Sequence, residues 1–187
     1  QNKVVYTGFR NISRVLKVKY PEGKVLATYG EMYKGGGGET GNGMYCRQHC
    51  SRLSDKGYVY LFNNNMCPGS STLPSLVMIE EPTDMKGAPK KVWEYECTIE
   101  GNTDRQQKQY QFPIGGNVTE LPDHSLFACM GGTYSKVFIV TDNKQEVWSA
   151  LPEKWEEKQG KWVNNYSYRG SLVNSKADVA RLVWGYK

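Results

Sequence analysis

The chain reads as mainly β with an α+β character: an antiparallel twisted sheet or sandwich carrying one C-terminal helix. Three observations predict this. Segments dense in Tyr, Val, Trp and Thr alternate apolar with polar residues, the period of a half-buried strand. Clusters of Pro, Gly, Asn and Asp punctuate them as turns. Helical spacing occurs convincingly only near the C-terminus.

Arg14–Tyr20 alternates, Pro21-Glu22-Gly23 supplies a turn, and residues 24–33 return as the second arm of a β-hairpin. The run from Gly35 to Gly43 predicts a surface loop, because glycine restricts the backbone so little. It contains a formal G-x-G-x-x-G match, but a dinucleotide cradle needs a preceding strand and a following helix, and neither is predicted. A second hairpin joins residues 92–99 to 109–114 across Gly101-Asn102-Thr103-Asp104. A third pairs Lys136–Val140 with Glu146–Ala150 across residues 141–144. Residues 154–161 are highly charged and predict a solvated segment. Asn174 or Ser175 caps the C-terminal helix, which places Val179, Leu182 and Val183 on one face for packing onto a sheet.

At 187 residues the chain is read as a single β-rich domain able to bury its own core. Its first part, 1–88, is basic and rich in Cys and Gly. No apolar run approaches the roughly 20 residues that span a bilayer, so no membrane span is expected. The formal net charge of +5 is unevenly distributed: residues 1–60 carry ten Lys or Arg against four Asp or Glu, and the remainder is nearly balanced. A basic first third suits phosphate or another acidic partner, unless it is simply a solvated face.

Five cysteines and three Asn-x-Ser/Thr acceptors, at Asn11, Asn117 and Asn165, predict a secreted, extracellular glycoprotein. Two disulfides and one free thiol are expected, with Cys46, Cys50, Cys67 and Cys97 as the candidates for pairing and the pairing itself left open. Cys129, within Phe127-Ala128-Cys129-Met130, reads as a buried thiol acting as a small hydrophobe. Cys46, His49, Cys50 and Cys67 are four possible zinc ligands. The paired Cys-x-x-Cys knuckles of a strong zinc signal are missing, so disulfides are preferred and neither a metal nor a cofactor is expected. The histidines, His49 and His124, lie in no nucleophile-elbow or H-E-x-x-H context.

The order Pro89, Tyr95, Glu100-Gly101, Tyr110-Gln111-Phe112-Pro113-Ile114, Lys136-Val137-Phe138 and Asn143-Lys144-Gln145 resembles the central sheet of the secreted fungal guanyl-specific ribonucleases and of the ribonuclease-like effectors of plant-pathogenic fungi. Tyr166-Ser167-Tyr168-Arg169-Gly170 and the following 175–186 segment are similar to that family's first strand and helix. Here they follow the sheet, so the resemblance implies a permuted order and makes 89–187 the ribonuclease-like part. It also implies that Gln111 stands at the general-base position, that Lys136 replaces the phosphate-steadying Arg, and that Glu146–Ala150 lacks the general-acid His. Glutamine takes no proton at useful pH, so general-base assistance is lost.

The function these readings imply is a secreted, monomeric, non-catalytic binding protein, effector-like, acting on host RNA or a host protein through Tyr95, Glu100, Tyr110, Gln111, Phe112 and Lys136. One alternative is an active secreted ribonuclease using His49 and His124 with Glu100 or Asp123. Another is a β-barrel ligand carrier or adhesin.

Overall fold

The computed structural model describes residues 3–30, 43–67, 73–81, 89–99, 114–132 and 134–173, and these form antiparallel sheets with no α-helix among them. The expected helix after Asn174 lies outside the described residues. So do the glycine run over 35–42 and residues 109–113 of the second hairpin.

The first sheet contains β1 (Lys3–Phe9), β2 (Arg14–Tyr20) and β3 (Val25–Tyr29), with a one-turn 3-10 helix, Arg10–Ile12, between β1 and β2. The β2–β3 hairpin forms as the alternation predicts. Gly23 holds φ +72° in the turn, a conformation that favours glycine.

A second sheet has the order β4 (His49–Leu53), β5 (Tyr58–Asn63), β6 (Ser75–Glu80) and β7 (Lys90–Glu96). Residues on either side of position 88 thus share one sheet. β7 supplies the first arm of the expected second hairpin and pairs with β6. β5 and β6 are buried almost throughout because both faces of this sheet are covered. Tyr60, Phe62, Leu76 and Met78 point into one core, while Val59, Leu61, Val77 and Ile79 point into another with Val15 and Tyr29 of the first sheet.

The third sheet has the order β11 (Glu146–Ala150), β10 (Lys136–Val140), β9 (Leu126–Met130) and β8 (Asn117–Glu120). Its β10–β11 hairpin matches the expectation. Val118, Leu126, Ala128, Met130, Phe138 and Val140 close the first core against β5 and β6. The result is three stacked β layers. Gly116 enters β8 with φ +90°, and a Cβ there would sit 2.5 Å from the Phe62 ring, so only glycine fits. The charged 154–161 segment is solvated but ordered: β12 (Glu153–Glu156) pairs with β13 (Lys161–Asn164), and Trp155 meets Trp162 edge to face at 5.8 Å between centroids.

The cysteine expectation needs correction. One disulfide, Cys46–Cys67, forms, while Cys50, Cys97 and Cys129 are free thiols. Cys50 lies on β4 and Cys97 just beyond β7, the two edge strands of one sheet. Three strand spacings of about 4.8 Å separate those edges, well beyond the Cα reach of a disulfide. Cys97 is buried in the core, and Cys129 is the buried thiol expected.

Candidate anion-binding site

Two sequence-predicted site residues are brought together by a third. Lys136 Nζ donates to Glu146 Oε2 (2.7 Å) and to the Thr98 carbonyl (3.1 Å), and the Tyr95 hydroxyl donates to the same carboxylate oxygen at 3.1 Å. Lys136 also lies 5.4 Å above the Phe138 ring, against which Tyr95 packs. Burial pushes the Glu146 carboxyl up, but the bonds from Lys136, Ser149 and Tyr95 outweigh it and hold the group below its ordinary value. Burial, followed by the Glu146 charge, raises the Tyr95 phenol. With its side chain 9% exposed, Lys136 spends its charge inside the protein. Glu100, Tyr110, Gln111 and Phe112 lie outside the described residues.

The two histidines do not face one another. His124 Nδ1 is 3.0 Å from Glu120 Oε1, which also accepts from Ser54 Oγ at 2.9 Å, beside the C-terminal end of β4. Asp123 accepts from the backbone and hydroxyl of Ser125. His49 begins β4 and so sits at the other end of that strand.

Around His49 the chain assembles a basic corner. Gly116 N donates to the Tyr168 carbonyl (2.8 Å), Gly132 bridges to Ser167, and the Asn117 amide makes two bonds to the Gly170 backbone at 2.8 Å each. These bonds strap residues 167–170 to the third sheet and place Tyr168 and Arg169 at the surface. Arg169 lies 5.4 Å over the Tyr168 ring. Arg10 arrives from the 3-10 helix of the first layer. Arg47, at φ +52°, follows the disulfide-linked Cys46, and its backbone N–H bonds Ser13 Oγ at 3.0 Å.

These charges sense one another. Burial, then Arg47, lowers the Arg10 guanidinium. Burial lowers His49; the Asn64 bond opposes that shift, and Arg10 and Arg169 add to it. No ion pair among the described residues engages Arg47 or Arg169. Arg47 Nε, Gln48 Oε1 and Ser51 Oγ are buried polar atoms without a hydrogen-bond partner among the described residues. Four non-glycine residues near the corner, Ser13, Arg47, Cys50 and Asn65, hold positive φ, the kind of backbone strain that concentrates at functional sites.

The hydrogen-bond network also fixes the imidazole. Asn64 Nδ2 donates to the Gly115 carbonyl at 3.1 Å, so Asn64 Oδ1 faces His49 Nδ1 at 2.6 Å and Nδ1 carries the proton. Neutral His49 therefore keeps its lone pair on Nε2, and protonation would turn that atom into a donor.

Sequence reasoning sensed the basic first third but did not place Arg10 and Arg47. Nor did it connect them to Arg169 or to Asn64, since only the topology brings these positions together. The zinc set is not available as such, because Cys46 and Cys67 are bonded to each other, and no His/Cys/Asp/Glu group suited to a metal occurs among the described residues. Of the sequons, Asn11 is exposed, Asn165 is half-buried, and Asn117 is buried with its amide committed to Gly170. No helix among the described residues is long and apolar enough to cross a membrane.

No family model and no curated protein matches the chain. Among solved structures it is similar to a protein of unknown function from Bacteroides caccae, with 11% identity and a TM-score of 0.46 over 80% of this chain. The match covers 40% of that protein, so this chain spans less than half of its length.

Proposed function

We propose that the protein is a secreted, non-catalytic binding protein that holds a single-stranded nucleic acid, RNA in the effector-like reading, on the basic corner of Arg10, Arg47, His49 and Arg169. The observation that carries this is the charge of Arg10 and Arg169 felt at His49, with Arg47 acting on Arg10 and no ion pair to Arg47 or Arg169 among the described residues. Guanidinium forks suit phosphate, and the half-exposed Tyr168 ring beside Arg169 offers a face on which a base can stack. The single disulfide is compatible with an extracellular setting.

The test is fluorescence anisotropy of a labelled single-stranded RNA over a salt series, with the same samples run on a gel. Two or three phosphate contacts give a log–log salt slope of about −2. The double replacement Arg47→Ala and Arg169→Ala should abolish most of the binding, with the RNA intact throughout. Binding that ignores both substitutions and salt would overturn the assignment. Cleavage lost on replacing His49 or His124 would establish the ribonuclease alternative, and capture of acidic polypeptide but not RNA would identify a protein partner.

A further inference from the structure

At the opposite end of the central sheet from His49, a cleft of about 200 Å³ opens between the central and third sheets, lined by Lys56, Tyr58, Met78, Val92, Trp93 and Asp142. It is smaller than a drug-sized pocket and suits one ring. Its polarity is divided. Trp93, Tyr58, Met78 and Val92 supply apolar and aromatic wall. The Trp93 indole N–H is already used, donating to the Asp142 carbonyl at 2.8 Å, so this side chain offers a ligand its π-face rather than its donor. Lys56 and Asp142 form an ion pair at the rim, with side chains 35% and 52% exposed. A cation and a carboxylate held side by side place a donor next to an acceptor. A vicinal diol matches that pair, one hydroxyl accepting from the ammonium and its neighbour donating to the carboxylate.

We propose that this cleft is a carbohydrate site that takes one neutral pyranose ring, its C–H face on Trp93 and Tyr58 and two adjacent hydroxyls on Lys56 and Asp142. The ring's two chemistries match the two halves of the cleft. A purely apolar ring would use only the aromatic wall and make no bond to the Lys56–Asp142 pair, and a charged ligand would set one rim group against a like charge. The site is independent of the basic corner and of the nucleic-acid reading.

The Trp93 indole N–H resonance reports occupancy in a ¹⁵N correlation spectrum as methyl β-glucopyranoside is titrated into the whole protein. A ligand of this size is expected to bind at about millimolar Kd. Asp142→Asn, which keeps the shape and removes the charge, should weaken it about fivefold to tenfold, consistent with one charge-assisted hydrogen bond. Trp93→Ala removes the reporter, so its binding is read by saturation-transfer difference on the glycoside, which should vanish; the Asp142 variant keeps the test valid if that protein fails to fold. Cyclohexanol, which offers no vicinal diol, should shift the resonance far less. Equal responses to the glycoside and to cyclohexanol, an Asp142→Asn affinity unchanged from the parent, or no saturable shift at all would each overturn the proposal.

Discussion

Replacing Glu146 by Leu strands an ammonium. Lys136 Nζ would retain only the Thr98 carbonyl and the Phe138 ring in a pocket that leaves its side chain 9% exposed. Breaking a buried pair from one side costs about 3–5 kcal/mol, and because Glu146 is 24% exposed and water can enter, about 3 kcal/mol is the appropriate figure. Lys136→Met should cost about 1 kcal/mol, since the carboxylate it leaves keeps the Tyr95 hydroxyl and access to solvent. The double variant should also lie about 1 kcal/mol below the parent, giving a coupling of about 3 kcal/mol in the cycle. Urea unfolding at pH 7 measures all four proteins. The pH dependence has a definite sign: Glu146 is held below its ordinary value in the folded protein, so its contribution is present above the ordinary carboxylate range and fades as pH falls through the folded value. The gap between the parent and Glu146→Gln should therefore narrow below about pH 4. Additive single effects, or a gap that stays constant into acid, would refute the internal ion-pair account.

Gly116→Ala should destabilise the protein by about 2–3 kcal/mol in thermal unfolding, because the new Cβ meets the Phe62 ring at a positive φ. Native labelling with a maleimide should give one rapid adduct, at half-exposed Cys50, by mass spectrometry. Cys97 and Cys129 should react only on unfolding, since burial raises both thiols, Cys129 up to about 11. RNA affinity should rise about fivefold as pH falls from 7 toward 5. Burial, Arg10 and Arg169 keep free His49 neutral, bound phosphate favours its protonated form, and a proton is therefore taken up on binding. Anisotropy with His49→Gln should show that rise flattened.

Alternating runs next to a turn signal were legible in the sequence, as in β2–β3, β7 and β10–β11, while the strands buried on both faces were not. β2 was found from its alternation, yet the face it turns to Tyr29 and the central sheet carries Val15 and Lys17, while Leu16 and Val18 point the other way; β10–β11 announces its turn at 141–144. β5 and β6 show no alternation, since Val59 and Leu61 are buried against one layer while Tyr60 and Phe62 are buried against the other. The charge of 154–161 concealed a hairpin whose visible clue was the spacing of Trp155 and Trp162, a cross-strand pair that needs no core beneath it. At the site, Tyr95 and Lys136 were singled out through the ribonuclease-like resemblance, but Glu146, which determines what both do, was read only as strand. The basic corner was visible as a surplus of charge without an address. Arg10, Arg47 and Arg169 are distant in sequence, and disulfide, asparagine and glycine contacts carry them to one place.

At the basic corner the three layers meet: Arg10 belongs to the first, His49 to the central sheet, and Arg169 is strapped to the third. The two apolar cores on either side of the central sheet are separate clusters, so each outer layer can loosen by itself. A polyanion held by Arg10, His49 and Arg169 together would oppose the loosening of either outer layer, and it would begin to leave when one of those layers opens. Residence time on this protein would then be governed by the opening rate of its weaker outer layer, and a substitution that touches none of these side chains, at Ile79 of the Val15–Tyr29 cluster for instance, would shorten it without altering a single contact to the bound strand.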